Sequence, residues 1–295
     1  MEHLVGIDIG GTGVRAAAVD PHGALTTPVV REALSDRSLS AVVGAIVAAT
    51  GRLGLDPAGI GIGVPGFVRR GTVVASPNFP TLRDAPIAAA VAKATGCPTV
   101  ALNDANAATW GAYCTGGATE NIVLLTLGTG VGGGVVHAGR LLSGIHGGGA
   151  ELGHTYAGGD RPCGCGAHGC LETWCSTVGL VAAAAEAGQV VSAGVDVVRA
   201  ARAGQRWALD IMEAAAAALG RSLIGFVNVF DPQRIVIVGG LAAARDLWGA
   251  AESAIRERAV LPSRRPVVVE WRGRADELAI AGAGLWVRRH VHSQT

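Results

Sequence analysis

Two stretches of the chain repeat one pattern, in which an apolar strand, a glycine-rich turn and a second strand follow one another. The first is LVGIDIGGTGVRAAAV at 4–19, and the second, about 120 residues later, is IVLLTLGTGVGGGVV at 122–136. Apolar, β-branched runs broken by glycines are typical of hairpins. The repetition predicts a duplicated α/β fold of two domains with a cleft between them.

The rest of the chain alternates between helical and strand patterns. Leu39, Val42, Val43, Ile46 and Val47, for example, recur at helical spacing. We predict helices near 38–52, 84–95, 105–114, 176–186, 191–203 and 206–229, from after Gly240 to about 258, and at 277–291. Apolar runs at 99–102, 234–238 and 267–271 predict further strands. This alternation favours an α/β architecture.

The composition narrows the class of protein. The 295 residues suffice for two domains or one large one, and 49% hydrophobic against 16% charged residues supply a sizeable core. A formal net charge of +1 without a basic stripe argues against a nucleic-acid surface. The start MEHLVGIDIGG does not resemble a signal peptide, and no apolar run reaches ~18 to 20 residues. We therefore expect a cytoplasmic protein without a membrane span.

Both glycine turns are candidate phosphate cradles, because glycine lets backbone N–H groups converge on an anion. Each turn also carries a threonine hydroxyl, in Gly10-Gly11-Thr12 and in Gly128-Thr129-Gly130. One such turn alone could simply close a hairpin, but two matching turns favour phosphate binding. Neither turn has the lysine of a P-loop, and neither leads into a helix as a dinucleotide motif does.

Two carboxylates follow apolar strands. Asp8 either forms a turn with its own backbone or binds magnesium beside the phosphates, and we favour magnesium because a carboxylate in an apolar strand needs a cation. Asp104 either caps the helix that follows it or accepts a proton from an acceptor hydroxyl during phosphoryl transfer. The local pattern leaves both roles of Asp104 open.

Three thiols lie within eight residues, at Cys163, Cys165 and Cys170. In a chain without an export signal, this density favours a metal over disulfides. A closed tetrahedral zinc site needs a fourth ligand, which His154 or His168 could supply. With four protein ligands the zinc would be structural, because a catalytic zinc keeps one position open.

The motifs occur in a fixed order: DIGGT (8–12), GVPG (63–66), NDAN (103–106), LGTGVGGG (127–134), GAELGH (149–154), CGCGAHGCLE (163–172) and IVIVGG (235–240). As a set they resemble the ROK family of sugar kinases and sugar-responsive repressors, and in particular its bacterial glucokinases. The resemblance covers essentially the whole chain.

The resemblance implies an actin-like, hexokinase-type fold, which is ribonuclease H-like in each duplicated half. It implies a smaller N-terminal α/β domain at 1–108, rejoined by the C-terminal helix at 277–295. A larger C-terminal α/β domain would span 109–276 and carry a zinc-binding loop at 144–175.

The resemblance also implies roles for individual residues, with Asp104 as the catalytic base. His154 matches a residue that binds zinc through one ring nitrogen and sugar through the other, which selects it over His168. The implied zinc ligands are His154, Cys163, Cys165 and Cys170. The implied sugar-binding residues are Asn78, Asn103, Asp104, Glu151, His154 and Glu172. The implied nucleotide- and phosphate-binding residues are Asp8, Gly10, Gly11, Thr12, Thr129, Gly130 and Gly240.

The implied activity is ATP-dependent phosphorylation of a hexose, with Mg²⁺ and a structural Zn²⁺, and glucose is the favoured substrate. N-acetylmannosamine and N-acetylglucosamine kinases of the family share the cysteine pattern and are the alternative. A repressor body is disfavoured because Asp8 leaves no room for a DNA-binding domain ahead of it. A zinc hydrolase is disfavoured because His154 fills the fourth metal position. Family members are commonly dimers or tetramers, so a homodimer or homotetramer is expected.

Two positions depart from the family pattern. Gly13 stands where lysine or asparagine is frequent, and glycine there also resembles polyphosphate-using glucokinases. Those enzymes generally lack the cysteine cluster, so ATP remains the expected donor. Ala112 follows Gly111 where many members have glutamate.

Overall fold

The computed structural model describes residues 3–117, 121–260, 267–273 and 275–291. The chain divides into two units, each with its own internal contacts. The N-terminal unit comprises Met1–Ala118, Leu141–Ala150 and Asp276–Thr295, and the C-terminal unit comprises Thr119–Arg140 and Glu151–Ala275. The boundary predicted after residue 108 falls inside a helix of the N-terminal unit. Residues 292–295 of the predicted returning segment lie outside the described residues.

Groups of strands are separated along the chain by single helices or by runs of helices. The strands are β1 (His3–Gly10), β2 (Gly13–Val19), β3 (Val30–Ala33), β4 (Pro57–Val64), β5 (Phe67–Arg69), β6 (Thr72–Ala75), β7 (Thr99–Asn103), β8 (Ile122–Leu127), β9 (Val131–His137), β10 (Arg140–Leu141), β11 (Arg234–Val238) and β12 (Val268–Arg272). The helices are α1 (Leu39–Arg52), α2 (Ile87–Thr95), α3 (Asp104–Thr115), α4 (Glu172–Cys175), α5 (Thr177–Glu186), α6 (Gly194–Arg202), α7 (Arg206–Phe230), α8 (Gly249–Arg258) and α9 (Asp276–Val291). Short 3-10 segments lie at Leu152–His154 and Leu241–Leu247.

The two large sheets have the same topology. Their strand orders are β3-β2-β1-β4-β7 and β10-β9-β8-β11-β12. In each sheet an antiparallel hairpin, β1–β2 or β8–β9, is extended by parallel strands on its other side. The two hairpins predicted from the sequence thus occupy equivalent positions in the two sheets of a duplicated architecture.

The central strands of both sheets are buried along their length. Ile7, Ile60 and Ile62 are fully buried in the N-terminal unit, as are Leu124 and Val236 in the C-terminal unit. Parallel strands covered on both faces read as continuous apolar runs instead of alternating patterns. These cores hold the carboxyl ends of β1, β7, β8 and β11, where the candidate site residues begin.

Helix α9 packs against the N-terminal sheet with almost no side chain between them. A Cβ atom on Gly6 or Gly61 would lie 1.8 Å from a carbonyl oxygen of α9, so both positions require glycine. Helix α3 approaches α9 as closely at Gly111. The neighbouring Ala112 is fully buried, so this position takes a small apolar residue in place of the family's glutamate.

The helix predicted from Gly240 to about 258 is wrong in its first half. The chain forms a 3-10 segment up to Leu247 and begins α8 only at Gly249. Ala244 has non-helical angles of φ −93° and ψ 39°. Trp248 is fully buried, and its Nε1 donates to the Leu241 carbonyl at 3.0 Å. Burying this ring fixes the break, which local propensity does not show.

Helix α7 is long and apolar enough, by length and composition, to cross a membrane, with a mean hydropathy of 1.2. Half of that stretch is buried inside the C-terminal unit, where α7 packs against α6 and α8. Its buried residues include Met212, Leu219, Leu223 and Phe226, three, four or seven positions apart. This spacing is the pattern of a core helix.

Candidate functional site

The N-terminal glycine turn joins β1 to β2, which close on a Gly10–Gly13 pair. Gly11 and Thr12 at its tip are exposed. Gly13 also pairs with β3, and a Cβ atom there would lie 2.5 Å from the Glu32 carbonyl oxygen. The neighbouring strand therefore requires glycine where the family often has lysine or asparagine.

A cluster of charged side chains lies behind this turn. Asp8 stands opposite Arg15 in the hairpin, and Oδ2 of Asp8 lies 3.0 Å from Nη2 of Arg15. Nη1 of Arg15 lies 3.7 Å from Oδ2 of Asp276, in the first turn of α9. Asp8 is only 6% exposed, and its burial outweighs the guanidinium and raises the pKa of its carboxyl to about 7. The charge of Asp8 therefore changes near neutral pH.

Neither Arg15 nor Asp276 is among the site residues predicted from the sequence. The register could have revealed Arg15, because a hairpin that closes on Gly10 and Gly13 places residue 8 opposite residue 15. No local signal marks Asp276, since it reaches the cluster from the last helix.

Asp104 begins α3 directly after β7. The N-cap is Asn103, whose Oδ1 accepts a hydrogen bond from the Asn106 N–H at 3.0 Å. The capping role that the sequence left open for Asp104 thus belongs to its neighbour. Oδ1 of Asp104 accepts from the Ala105 N–H at 2.9 Å and from Nδ2 of Asn103 at 3.1 Å. Burial raises the pKa of the Asp104 carboxyl against these hydrogen bonds and the charge of Arg15.

Asn78 lies in an exposed part of the loop between β6 and α2. The next residue, Phe79, is fully buried, and its N–H donates to Oγ of Ser76 at 3.2 Å. Nη1 of Arg37 donates to the Asn78 carbonyl at 2.8 Å. The backbone at Asn78 is therefore held on both sides while the residue itself faces solvent.

The second glycine turn joins β8 to β9 and meets the start of α5. The N–H of Thr177 donates to the Gly128 carbonyl at 2.9 Å, and the N–H of Val178 donates to the Thr129 carbonyl at 3.3 Å. Ser176 caps α5, with its Oγ accepting from the Gly179 N–H at 2.9 Å. The turn and the helix N-terminus thus form one unit. Since the first N–H groups of α5 already donate to this turn and to Ser176, the helix favours an anion here through its dipole.

Glu172, at the start of α4, joins this turn to the cysteine loop. Its Oε2 accepts from the Val131 N–H at 2.9 Å, and its Oε1 lies 3.7 Å from Sγ of Cys163. A Cβ atom on Gly130 would lie 2.4 Å from the same Oε2. The position of the Glu172 carboxylate therefore depends on glycine at position 130.

The structure brings His154, Cys163, Cys165 and Cys170 together, with their ligand atoms all within 4.8 Å of one another. Nδ1 of His154 lies 3.6 Å from Sγ of Cys163, and the Sγ atoms of Cys165 and Cys170 are 3.7 Å apart. Tetrahedral zinc, with Zn–S near 2.3 Å and Zn–N near 2.0 Å, places ligand atoms about 3.5 to 3.8 Å apart. These spacings fit zinc.

The rest of the cysteine loop supports this cluster. The N–H of Cys163 donates to the Ala167 carbonyl at 2.8 Å, which closes a tight turn. His168 forms a bridge with Pro162 and is not part of the four-residue cluster. Glu151 precedes the 3-10 turn that carries His154, and its carbonyl accepts from the His154 N–H at 3.1 Å. The turn packs tightly on β9, since a Cβ atom on Gly153 would lie 1.9 Å from the Val131 carbonyl oxygen.

A pocket of about 400 Å³ opens beside the second glycine turn, within the C-terminal unit. Its walls are formed by α6 and by the 3-10 segment after β11. The residues that line it are Gly128, Thr129, Thr177, Ala193, Val195, Val198, Arg202, Gly240, Leu241, Ala243 and Ala244. Thr129 and Gly240, both predicted on the nucleotide side, thus share one apolar pocket, whereas the other predicted phosphate contacts fall elsewhere.

The predicted site residues divide between the units. The N-terminal unit holds Asp8, Gly10, Gly11, Thr12, Asn78, Asn103 and Asp104. The C-terminal unit holds Thr129, Gly130, Glu151, His154, Cys163, Cys165, Cys170, Glu172 and Gly240.

The chain matches the ROK family over residues 4–290. It belongs to the ROK family. A glucokinase of Thermotoga maritima is 36% identical to this ROK member over 265 residues, which cover 83% of this chain and 84% of that protein. An N-acetylmannosamine kinase of Shigella flexneri is 35% identical over 264 residues, covering 84% and 87%.

A solved structure supports the same conclusion. The ROK family glucokinase from Streptomyces griseus, in complex with glucose and AMPPNP, superposes with a TM-score of 0.80 at 29% identity. The match covers 97% of this chain and 99% of that chain. The predicted actin-like, hexokinase-type α/β fold is confirmed for this ROK member.

Proposed function

We propose that this ROK member is a glucokinase, which transfers the terminal phosphoryl group of ATP to glucose and releases glucose 6-phosphate and ADP. Its likeness to glucokinases along most of the chain supports the proposal. The pair of glycine turns, one beside a carboxylate cluster and one beside an apolar pocket, suits a nucleotide donor.

The observation that carries the proposal is the environment of Asp104. Within the described residues, the two hydrogen bonds that the Asp104 carboxylate accepts both end on Oδ1. They fix the carboxylate and leave Oδ2 for an acceptor hydroxyl. The raised pKa of this carboxyl makes it a stronger base than an exposed aspartate. Asp104 accepts the hydroxyl proton as the new oxygen–phosphorus bond forms and the bond to ADP breaks.

Asp8 is the proposed magnesium contact. Asp104 and Asp276 both raise the cost of ionising Asp8. Arg15 lies beside Asp8 and Asp276, and Arg31 lies 3.9 Å from Asp276, so three carboxylates face these two cations. Such an excess of carboxylate over positive charge fits a hard divalent cation. When bound, Mg²⁺ would neutralise the charge of the phosphate oxygens. Gly10, Gly11 and Thr12 would supply hydrogen-bond donors to those oxygens.

Glu151, His154 and Glu172, together with Asn78 and Asn103, are the proposed ligands of sugar hydroxyls. Because Nδ1 of His154 faces Cys163, its Nε2 is left for the sugar. A zinc ion held by His154 and the three cysteines would fix the loop that carries these groups. Thr129, Gly130 and Gly240 border the nucleotide in the C-terminal unit.

N-acetylmannosamine kinase is the alternative, because a relative with that activity is almost as similar as the glucokinase. The two activities differ at the sugar 2-position. Initial rates with ATP and glucose, N-acetylmannosamine, N-acetylglucosamine, mannose and fructose separate them in one coupled assay. If kcat/KM is highest for glucose, the proposal is supported. If none of the five sugars is phosphorylated, the assignment as a sugar kinase is contradicted. Replacing ATP by polyphosphate in the same assay tests the donor.

We also propose a cytoplasmic homodimer or homotetramer. Light scattering behind a sizing column measures the assembly directly, and a monomeric mass at micromolar concentration would contradict it.

A further inference from the structure

The pocket beside the second glycine turn has few polar side chains with which to recognise a nucleobase. Glycine, alanine, valine and leucine account for eight of its eleven lining residues. The other three are Thr129, Thr177 and Arg202. Thr129 lies in the turn and Thr177 begins α5 beside it, and Arg202 is the charged residue of the lining.

The pocket extends along helix α6, from the glycine turn at one end to Arg202 at the other. Val195, Val198 and Arg202 recur at i, i+3 and i+7 and so share one face of α6. A Cβ atom on Gly194, at the start of α6, would lie 3.1 Å from Thr177 beside the glycine turn. Arg202 lies eight residues further on, ~12 Å along the helix axis. A nucleotide with its phosphates at the turn therefore extends its base toward Arg202.

The walls between these two ends are apolar. Val195 and Val198 stand on the α6 side, and Leu241, Ala243 and Ala244 stand on the side of the 3-10 segment. Two apolar walls can pack against the faces of a flat heterocycle, but they form no hydrogen bonds that would distinguish one base from another. Discrimination between bases is then left to the group that meets the base edge.

Arg202 is held in place across the pocket end. Its Nε lies 3.1 Å from Oδ2 of Asp246, and its Nη2 lies 2.7 Å from Oδ1 of the same carboxylate. This two-point contact fixes the plane of the guanidinium. Nη1 makes no hydrogen bond with the part of the chain that the structure describes, and the side chain is half exposed. The edge formed by Nη1 and Nη2 thus keeps donors for a ligand.

An arginine offers donors and no acceptor. A 6-oxopurine presents two acceptors on one edge, N7 and O6, which match such a pair of donors. Adenine presents one acceptor, N7, beside the N6 amino donor. One of the two arginine donors would then face another donor and could not form a hydrogen bond. The chemistry of this pocket end therefore fits guanine and hypoxanthine better than adenine.

We propose that this chain accepts ITP and GTP as phosphoryl donors at least as well as ATP, with Arg202 as the specificity-determining residue. The inference rests on the proposed kinase function and on placing the nucleotide in this pocket.

The test compares kcat/KM for ITP, GTP and ATP at saturating glucose and Mg²⁺. We expect an ITP/ATP ratio of one or more in the unchanged protein. Arg202→Met keeps an extended side chain without donors and should lower that ratio ~5-fold or more, the lower end of what a two-point base contact contributes. Arg202→Gln presents a donor and an acceptor, which match adenine, and should shift the preference to ATP. Arg199→Met, at an exposed arginine of the same helix that pairs with Asp196 and does not line the pocket, is the matched control and should leave the ratio unchanged.

A higher kcat/KM for ATP than for ITP in the unchanged protein overturns the proposal. A ratio that Arg202→Met and Arg202→Gln leave unaltered overturns the role of Arg202. Calorimetric titration with IDP and ADP tests the pocket without catalysis, and weaker binding of IDP contradicts the inference. If no sugar is phosphorylated with any nucleotide while IDP binds more tightly than ADP, the proposed kinase function fails and the donor role fails with it, whereas recognition of the base by Arg202 stands.

Discussion

The two glycine turns have equivalent positions in two sheets of identical strand order, yet their surroundings differ. The turn at Gly10–Gly13 lies against buried and partly buried charges, with Arg15 within ion-pair distance of both Asp8 and Asp276. The turn at Gly128–Gly130 lies against an apolar pocket, a helix N-terminus and the Glu172 carboxylate. The two units thus share one backbone framework. Asp8 and Arg15 of the first hairpin, together with Asp276 of α9, give that copy its charges, whereas segments outside the second hairpin supply its apolar pocket and the Glu172 carboxylate.

We infer from this difference that the N-terminal unit carries the groups of the chemical step, in addition to Asn78 and Asn103, and that the C-terminal unit carries most of the groups that order the sugar and bind the nucleobase. Changes in the first region should then lower kcat, and changes in the second should raise KM. The following predictions, from the largest effect to the smallest, test that division.

Asp104→Asn keeps the shape of the side chain but removes its ability to accept a proton at neutral pH. We expect kcat to fall by at least ~10²-fold, the usual scale for a general base. The KM for glucose should change little, and circular dichroism should show an unchanged fold. Asp84→Asn, at an exposed aspartate of the same unit, is the control and should retain activity. A fully active Asp104→Asn variant would contradict the assignment of the base.

Cys165→Ser should remove the zinc ion, because a hydroxyl is a poor fourth ligand for a structural site. The loop at 144–172 is rich in glycine, and each residue that the metal fixes otherwise costs ~1–2 kcal/mol of backbone entropy. We expect one zinc per chain in the unchanged protein by elemental analysis, and its loss in the variant. The KM for glucose should rise ~10-fold or more, or activity should disappear.

Nucleotide binding by the turn at Gly128–Gly130 should survive this loss of zinc better than sugar binding does. Cys114→Ser changes an exposed thiol outside the cluster and should leave both metal and activity intact. A metal-free protein with full activity, or His154→Ala with unchanged zinc and sugar affinity, would show that the four ligands are wrongly assigned.

Gly130→Ala and Gly11→Ala compare the two turns directly. The new methyl at 130 would overlap Oε2 of Glu172, whereas a methyl at 11 meets no atom within 4 Å. We expect Gly130→Ala to displace the carboxylate and raise the glucose KM several-fold, and Gly11→Ala to leave it within about twofold. Equal effects of the two substitutions would mean that the contact with Glu172 does not position a sugar ligand.

The raised pKa of Asp8 predicts how stability depends on pH. Between the ordinary pKa of 3.8 and about 7, the folded protein keeps a proton on Asp8 that the unfolded chain has lost. The unfolded state then binds fewer protons, so this group lowers the free energy of unfolding as pH rises through that window, and adds no further slope above pH 7. The melting temperature of Asp8→Asn should therefore fall less between pH 5 and pH 8 than that of the unchanged protein. Parallel pH profiles of the two proteins would place the pKa of Asp8 near its ordinary value.

Much of this architecture was predictable from the sequence because its signals are local. The apolar runs and glycines of the two hairpins predict both turns, and the hairpin register even implies the Asp8–Arg15 pair. The thiols at 163, 165 and 170 indicate a metal site within one short loop. In each case the interacting residues are close in sequence, so their spacing alone limits where they can lie.

Other features were decided only by the tertiary structure. Whether Asn103 or Asp104 caps α3 depends on which side chain turns back onto the helix. The spacing of the thiols does not choose between His154 and His168; the resemblance to the family favours His154, and the packing of two separate turns places it in the cluster. Asp276 enters the charged cluster because α9 is drawn onto the sheet at Gly6 and Gly61. Burial of Trp248 breaks a helix that local propensity would continue, and Arg202 meets Asp246 from a different segment. Sequence patterns report contacts between near neighbours, whereas these arrangements arise from packing that joins distant segments.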